Sequence, residues 1–228
     1  MNNRITDVFF DLDHTLWDFD RNSALTFKKI FNLNTLEVDV DKFLEYYKPI
    51  NLEYWRLYRE DKIDKESLRF GRLNDAFLAI GVKIDKDIIL KLSDDYITYL
   101  TTFNHLFDDT KDILNYLKDK YTLHIITNGF EEVQHKKLVR SGIDGFFKTV
   151  TNSEMVGVKK PNPKIFDFAI NLAGANIENS IMIGDSYEAD VLGALDFGMD
   201  AIFFDLRNSV QSNGVKKINN LLMLKEFL

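Results

Sequence analysis

Three short apolar runs in this chain end on residues that could do chemistry on an anion. Residues 5–10, ITDVFF, stop at Asp11, with Asp13 two positions further on. Residues 121–126, YTLHII, stop at Thr127-Asn128-Gly129. Residues 180–183, SIMI, lead into Gly184-Asp185-Ser186, and Lys160 stands just ahead of a helical pattern that opens near Asn162. Brought to one place, Asp11, Asp13 and Asp185 are three carboxylates, which repel at short range and need a cation or a shared proton. The chain has no cysteine and four histidines. An oxygen-rich set of this kind suits a hard ion, and Mg²⁺ fits best. Lys160 and the Thr127 hydroxyl would then hold phosphate oxygens opposite the metal.

These residues meet only if the runs that carry them are neighbours in one sheet. In open α/β sheets, ligands bind beyond the carboxyl ends of the strands. Besides the three runs above, 146–151 (FFKTVT) and 201–204 (AIFF, stopping at Asp205) are short, β-branched or aromatic, and poorly alternating. That is the pattern of strands covered on both faces. Helical patterns separate them at 108–120, 131–141, 162–173 and 187–197, with Pro163 in a first turn and Gly174 and Gly198 as stops. Strand, polar turn and helix repeat from about 105 onward, which predicts a doubly wound, mostly parallel α/β sheet. The stretch 17–103 is different. It carries helical patterns at 21–31, 41–59, 65–80 and 85–102, broken near Gly81, and no convincing strand. The expected domains are therefore an α/β core from 1–16 and 104–228, with a helical insertion at 17–103 emerging after the first strand.

With 228 residues, 45% of them hydrophobic, there is material for a core domain plus an insertion. The 19 phenylalanines read mainly as core packing. A formal net charge of -7, spread along the chain, argues against a nucleic-acid polymer as partner. A small phosphorylated molecule stays compatible, because a metal and a few local cations reverse the sign inside a pocket. The absence of cysteine excludes disulfides, thiolate catalysis and zinc–thiolate sites. The opening MNNRITDVFFDLD turns acidic too early for a signal peptide, and no run approaches the roughly 18 apolar residues of a bilayer span. A cytoplasmic location with no membrane partner is the expectation.

Four segments, FFDLDHTL (9–16), ITNGF (126–130), VGVKKPNPKIF (156–166) and IGDSYEAD (183–190), resemble in order the motifs of the haloacid dehalogenase-like hydrolase superfamily. All four together are far more specific than DxDxT alone, and the insertion resembles the helical cap of that superfamily beside its Rossmann-like core. The resemblance implies a phosphatase working through an aspartyl phosphate. Asp11 would be the nucleophile. Asp13 would protonate the leaving oxygen and later deprotonate the attacking water. The Asp11 carboxylate, the Asp13 backbone carbonyl and Asp185 would hold Mg²⁺. Thr127 and the Asn128 amide would bind a nonbridging phosphate oxygen, and Lys160 would offset the charge of nucleophile and phosphate. Lys160 is favoured over Lys159 because the family's lysine immediately precedes the proline. Thr15 would stabilise the first loop. Asp190, with Ser186, would stand behind the ligands, orienting Lys160 or a metal-bound water.

The pieces YYKPINLEYWRLYREDKID (46–64), LRFGRLNDAF (68–77) and SEMVGVKKPNPKIFDFAI (153–170) are similar to the YjjG-type pyrimidine 5′-nucleotidases. That resemblance implies action on nucleoside 5′-monophosphates, noncanonical pyrimidines included. A sugar-phosphate or small phosphoacid phosphatase and a phosphomutase are the alternatives within the superfamily. Asp13 argues against a dehalogenase, and none of Lys42, Lys62 and Lys65 is singled out as the Schiff-base lysine of a phosphonatase. A phospho-accepting receiver-like switch uses similar groups, but Asp13 and the large insertion favour turnover. Tyr46, Tyr47, Tyr54, Trp55, Tyr58 and Phe70 offer aromatic surface in the insertion, mostly for packing, and Arg56, Arg69 or Arg72 could bind the distal part of a substrate. Asp18 and Asp20 read as caps of the first inserted helix, Glu154 as a loop organiser, and His14, His105, His124 and His135 as structural or exposed. The oligomeric state is open.

Overall fold

The computed structural model describes residues 5–206 and 214–228. Six strands form one parallel sheet: β1 (Asp7–Phe10), β2 (Thr122–Thr127), β3 (Phe147–Asn152), β4 (Ser180–Gly184), β5 (Asp200–Phe204) and β6 (Lys216–Ile218). Their spatial order is β3-β2-β1-β4-β5-β6. The chain therefore builds outward from β1 through β2 to β3, then crosses to the other side of β1 and builds outward again. Phe10 stands opposite Ile125 on one side and Ile183 on the other. Asp11, the next residue, leaves the sheet between the ends of β2 and β4, at the reversal point where such sheets bind ligands.

By contact density the chain divides into two compact units, Met1–Phe19 with Asn104–Leu228, and Asp20–Phe103. The second unit is helical: α1 (Phe19–Leu33, which begins one residue earlier), α2 (Val40–Arg59), α3 (Lys65–Ala79) and α4 (Lys86–Leu100). Asp39 and Asp64 accept backbone N–H groups at the starts of α2 and α3, as good N-caps do. Gly81, with φ of 79°, turns the chain just after α3. Phe27 lies at the centre of the unit, its ring centroid 4.6 to 5.0 Å from those of Tyr47, Tyr96 and Phe43. Phe31 and Phe77 extend the same buried cluster. Burying each such ring favours folding by about 1.5–3 kcal/mol.

Around the sheet lie α5 (Thr110–Lys118), α6 (Glu131–Ser141), α7 (Ser153–Val156), α8 (Pro163–Ala173) and α9 (Gly193–Phe197). One core joins Phe9, Ile126, Met182 and Phe203 of the strands to Ile165, Phe166, Ala169 and Ala194 of α8 and α9. The apolar strand runs are thus covered, which is why they do not alternate. Asn162 caps α8 through its side chain, Pro163 opens it, and Gly174 ends it with φ of 66°. No helix among the described residues is long and apolar enough to cross a membrane.

Two features depart from the sequence reading. A sixth strand, β6, pairs in parallel with β5. Its three residues, Lys-Lys-Ile, carry no strand signal of their own; the edge of β5 supplies their partners. Residues 187–192 wind as a π-helix before α9 continues as α-helix. Such wide turns collect at functional sites, and this one carries Asp190.

Candidate active site

Asp11 is almost fully buried, and its N–H donates to the Ile183 carbonyl at 2.9 Å. Lys160 reaches it from the loop before α8. The Lys160 Nζ donates to Asp11 Oδ1 and to the Ile126 carbonyl, both at 2.6 Å, and pairs with Asp190 Oδ1 at 2.6 Å. With 1% of its surface exposed, this ammonium is satisfied wholly by protein. The Asn128 side chain holds the same loop twice: Lys160 N–H donates to Asn128 Oδ1 at 2.8 Å, and Asn128 Nδ2 donates to the Lys160 carbonyl at 3.0 Å. The Asn128 side chain is thereby tied to the Lys160 backbone, while its backbone N–H is a further donor for an anion. Thr127 Oγ1 accepts from Gly129 N–H at 3.1 Å, which leaves its own proton to donate.

On the other side of β1, Thr15 Oγ1 donates to Asp185 Oδ1 at 3.3 Å, tying the first loop to the end of β4. Asp190 is 1% exposed, and both its oxygens are engaged, Oδ1 with Lys160 and Oδ2 with the Ser186 N–H at 2.9 Å. The Ser186 hydroxyl accepts from Ala189 N–H and so starts the π-turn. Gly184 makes this packing possible: a Cβ there would lie 2.3 Å from Asp190 Oδ2.

Asp11, Asp185 and Asp190 each offer an oxygen within 4.8 Å of the others. Lys160 answers only part of that charge. Burial pushes the Asp11 carboxyl up to about 7, the Asp190 and Asp13 charges add to the rise, and Lys160 opposes it. Burial and the charges of Asp11 and Asp190 likewise raise Asp185 well above the usual carboxylate range. Carboxyl groups held out of their charged form mark a place that a further cation would relieve. Because Asp190 has both oxygens engaged, Asp11 and Asp185 are the carboxylates with oxygen left for such an ion. A site of hard oxygen donors without nitrogen or sulfur suits Mg²⁺.

Asp13 occupies the loop beyond β1, where His14 takes a left-handed φ of 64° and packs its ring on Phe19. Its carboxylate is bound by residues that the sequence reading did not single out. Lys137 Nζ donates to Asp13 Oδ1 and Oδ2 at 2.5 and 2.7 Å, and Gln134 Nε2 donates to Oδ2 at 3.2 Å. A signal for Lys137 did exist: it sits four residues after Val133, on the buried stripe of α6, where a lysine is out of place.

Of the residues expected outside the chemistry, Glu154 Oε2 accepts the Glu131 N–H at the start of α6 at 2.7 Å. His124 is buried between Asp7 and Thr149 and stacks on Phe9. In the helical unit the three candidate arginines all have protein partners. Arg56 bridges Glu53 and Glu60, Arg69 pairs with Asp94, and Arg72 is buried over the Tyr96 ring with Nη1 donating to Asn51.

The chain is similar over most of its length to several known proteins. Over 210 residues the chain is 30% identical to pyrimidine 5′-nucleotidase YjjG of Escherichia coli (strain K12), covering 91% of this chain and 89% of that protein. It is 34% identical to the glyceraldehyde 3-phosphate phosphatase of Methanothermobacter thermautotrophicus, covering 97% and 98% of the two chains. The crystal structure of the putative HAD-hydrolase YfnB of Bacillus subtilis bound to magnesium superposes with a TM-score of 0.88 at 27% identity, over 99% of both chains. Residues 7–198 match the family model described as haloacid dehalogenase-like hydrolase, and the chain belongs to that family.

Proposed function

We propose that this protein is a phosphomonoester hydrolase that passes a phosphoryl group through Asp11 to water, with pyrimidine nucleoside 5′-monophosphates as its substrate class. One observation carries the reading: a buried Asp11, held by Lys160 at the central strand end, next to an Asp185 with oxygen left for a cation. Asp11 attacks phosphorus, and the bond from phosphorus to the leaving oxygen breaks as the aspartyl phosphate forms. Asp13 gives its proton to the leaving oxygen, then takes one from the water that opens the aspartyl phosphate. Lys160 offsets the repulsion between an anionic nucleophile and an anionic substrate, and Thr127 and the Asn128 backbone N–H hold nonbridging oxygens. Asp11, the Asp13 carbonyl and Asp185 would hold Mg²⁺, which supplies Lewis-acid stabilisation of the phosphoryl charge when bound. Thr15, Ser186 and Asp190 keep Asp185 and Lys160 in place.

The choice of a nucleotide rests on the similarity to YjjG, which covers most of the chain, the helical insertion included. We assign substrate choice to that insertion, 17–103. A sugar phosphate is the second reading, supported by the glyceraldehyde 3-phosphate phosphatase that matches over nearly the full length. Steady-state phosphate release, with and without Mg²⁺, from nucleoside 5′-monophosphates, sugar phosphates and small phosphoacids separates the two. Highest kcat/KM on pyrimidine 5′-monophosphates, with Asp11→Asn inactive, is the expected result. Preference for sugar phosphates would keep the Asp11 chemistry and remove the nucleotidase assignment. No release from any of them would overturn the hydrolase reading in favour of a mutase or a phosphoryl switch.

A further inference from the structure

We infer that Lys137 and Gln134 are positioning residues for Asp13, a donor fork on α6 that fixes where the acid–base carboxylate sits. The inference rests on the proposed role of Asp13. An aspartate in a loop has two free side-chain torsions, and proton transfer needs its oxygen within hydrogen-bond reach of the reacting atom. Here Lys137 Nζ reaches both oxygens and Gln134 Nε2 donates to Oδ2, which fixes the plane of the carboxylate and leaves a lone pair on Oδ1 for the transferred proton. The two donors are three residues apart on α6, hence on the same face. That helix follows directly on the Thr127-Asn128-Gly129 turn, so one segment carries both the phosphate-facing hydroxyl and the fork.

Three further observations favour positioning over a chance ion pair. Lys137 has only 2% of its surface exposed, and its ammonium lies 4.5 Å from the centroid of the Trp17 ring and 5.6 Å from that of Phe19. Aromatic rings beside the ammonium help to hold it in place. Gln134 Oε1 is buried without a partner, so the hydrogen bond this amide makes is the one from Nε2 to Asp13. Gly129 leaves room for that amide: a Cβ there would fall 1.6 Å from Gln134 Nε2 and 3.3 Å from Asp13 Oδ2.

The test compares first-turnover release from a nucleoside 5′-monophosphate, whose alkoxide needs a proton to leave, and from p-nitrophenyl phosphate, whose phenolate does not. For Lys137→Met the first rate is expected to fall on the order of 100-fold, with little change in substrate affinity, while nitrophenolate release stays close to wild type. Lys137→Arg should restore most of the loss. Retained nitrophenolate release also shows that the variant folds. If Lys137→Met does not fold, Gln134→Leu gives the same readout, with a smaller selective loss expected. Equal losses on both substrates, or none, would overturn the inference. Asp13→Asn separates the two ideas: if it too is unselective, the acid–base reading falls, and if it alone is selective, only the role of the fork falls. Wild-type protein that turns over neither ester would overturn both.

Discussion

Single atoms decide how the charged centre is assembled. Lys160 meets two carboxylates and a carbonyl at once, and Asp190 can reach it only because residue 184 has no side chain. Gly184→Ala would drive a methyl group into the Asp190 carboxylate. Asp190 would swing away, Lys160 would lose one of its anchors, and Asp11 would lose its fixed partner. Misplacement of a catalytic group by about 1 Å can cost on the order of 100-fold, and a loss of that order in kcat/KM is expected for this variant. Circular dichroism and kinetics on the same sample check it. An unchanged rate would mean that Asp190 does not hold Lys160 during turnover.

Helix α6 depends on another element for its start. It has no side-chain cap of its own at Phe130. Instead the Glu154 carboxylate, from α7, accepts the Glu131 N–H. A carboxylate at a helix start satisfies an orphan donor and meets the positive end of the helix dipole. Glu154→Ala should therefore cost about 1 kcal/mol in urea unfolding, and an unshifted midpoint would show that this bond has no hold on the helix. Elements also explain what could be read in advance. Asp11, Thr127 and Asp185 were legible because each ends an apolar run, and polar residues at strand ends of a parallel sheet face one crevice. Lys160 was legible through the resemblance to a family whose lysine immediately precedes a proline. Lys137 left only its place on the apolar stripe of α6 as a signal, and its partner could not be read because Asp13 is 124 positions away. Nor was β6 legible, since its three residues form a strand only because β5 offers an edge. The π-turn at 187–192 keeps a helical pattern, so only hydrogen-bond spacing distinguishes it.

At the scale of the whole molecule, the buried carboxyls link ionisation to stability. Asp11 is pushed from 3.8 up to about 7, and Asp185 is raised in the same direction. A group whose pKa is higher in the folded state holds its proton there while the unfolded chain releases it. Stability from these groups is complete below the ordinary carboxylate pKa and is lost as pH rises towards about 7. A cation on Asp11 and Asp185 must displace those protons, so it binds better as pH rises and stabilises by mass action. The expected result is a Mg²⁺-induced rise in Tm that is small near pH 5 and grows towards pH 7.5, read by calorimetry. A rise that ignores pH would put the ion elsewhere.

The central place of β1 also has a consequence for how the chain comes into being. Its neighbours are β2 and β4, so Asp7 waits for Thr122 on one side and Ser180 on the other. Between β1 and β2 in sequence lie five helices, and four of them, α1–α4, make up the second compact unit, whose contacts close shorter loops than the pairing of β1 with β4 and so form earlier. As the polypeptide leaves the ribosome, β1 emerges before the helical unit and keeps one edge open until β4 follows. The strand that leads into Asp11 thus waits with an open edge through most of synthesis, and assembly of the candidate site coincides with the pairing of β1 and β4.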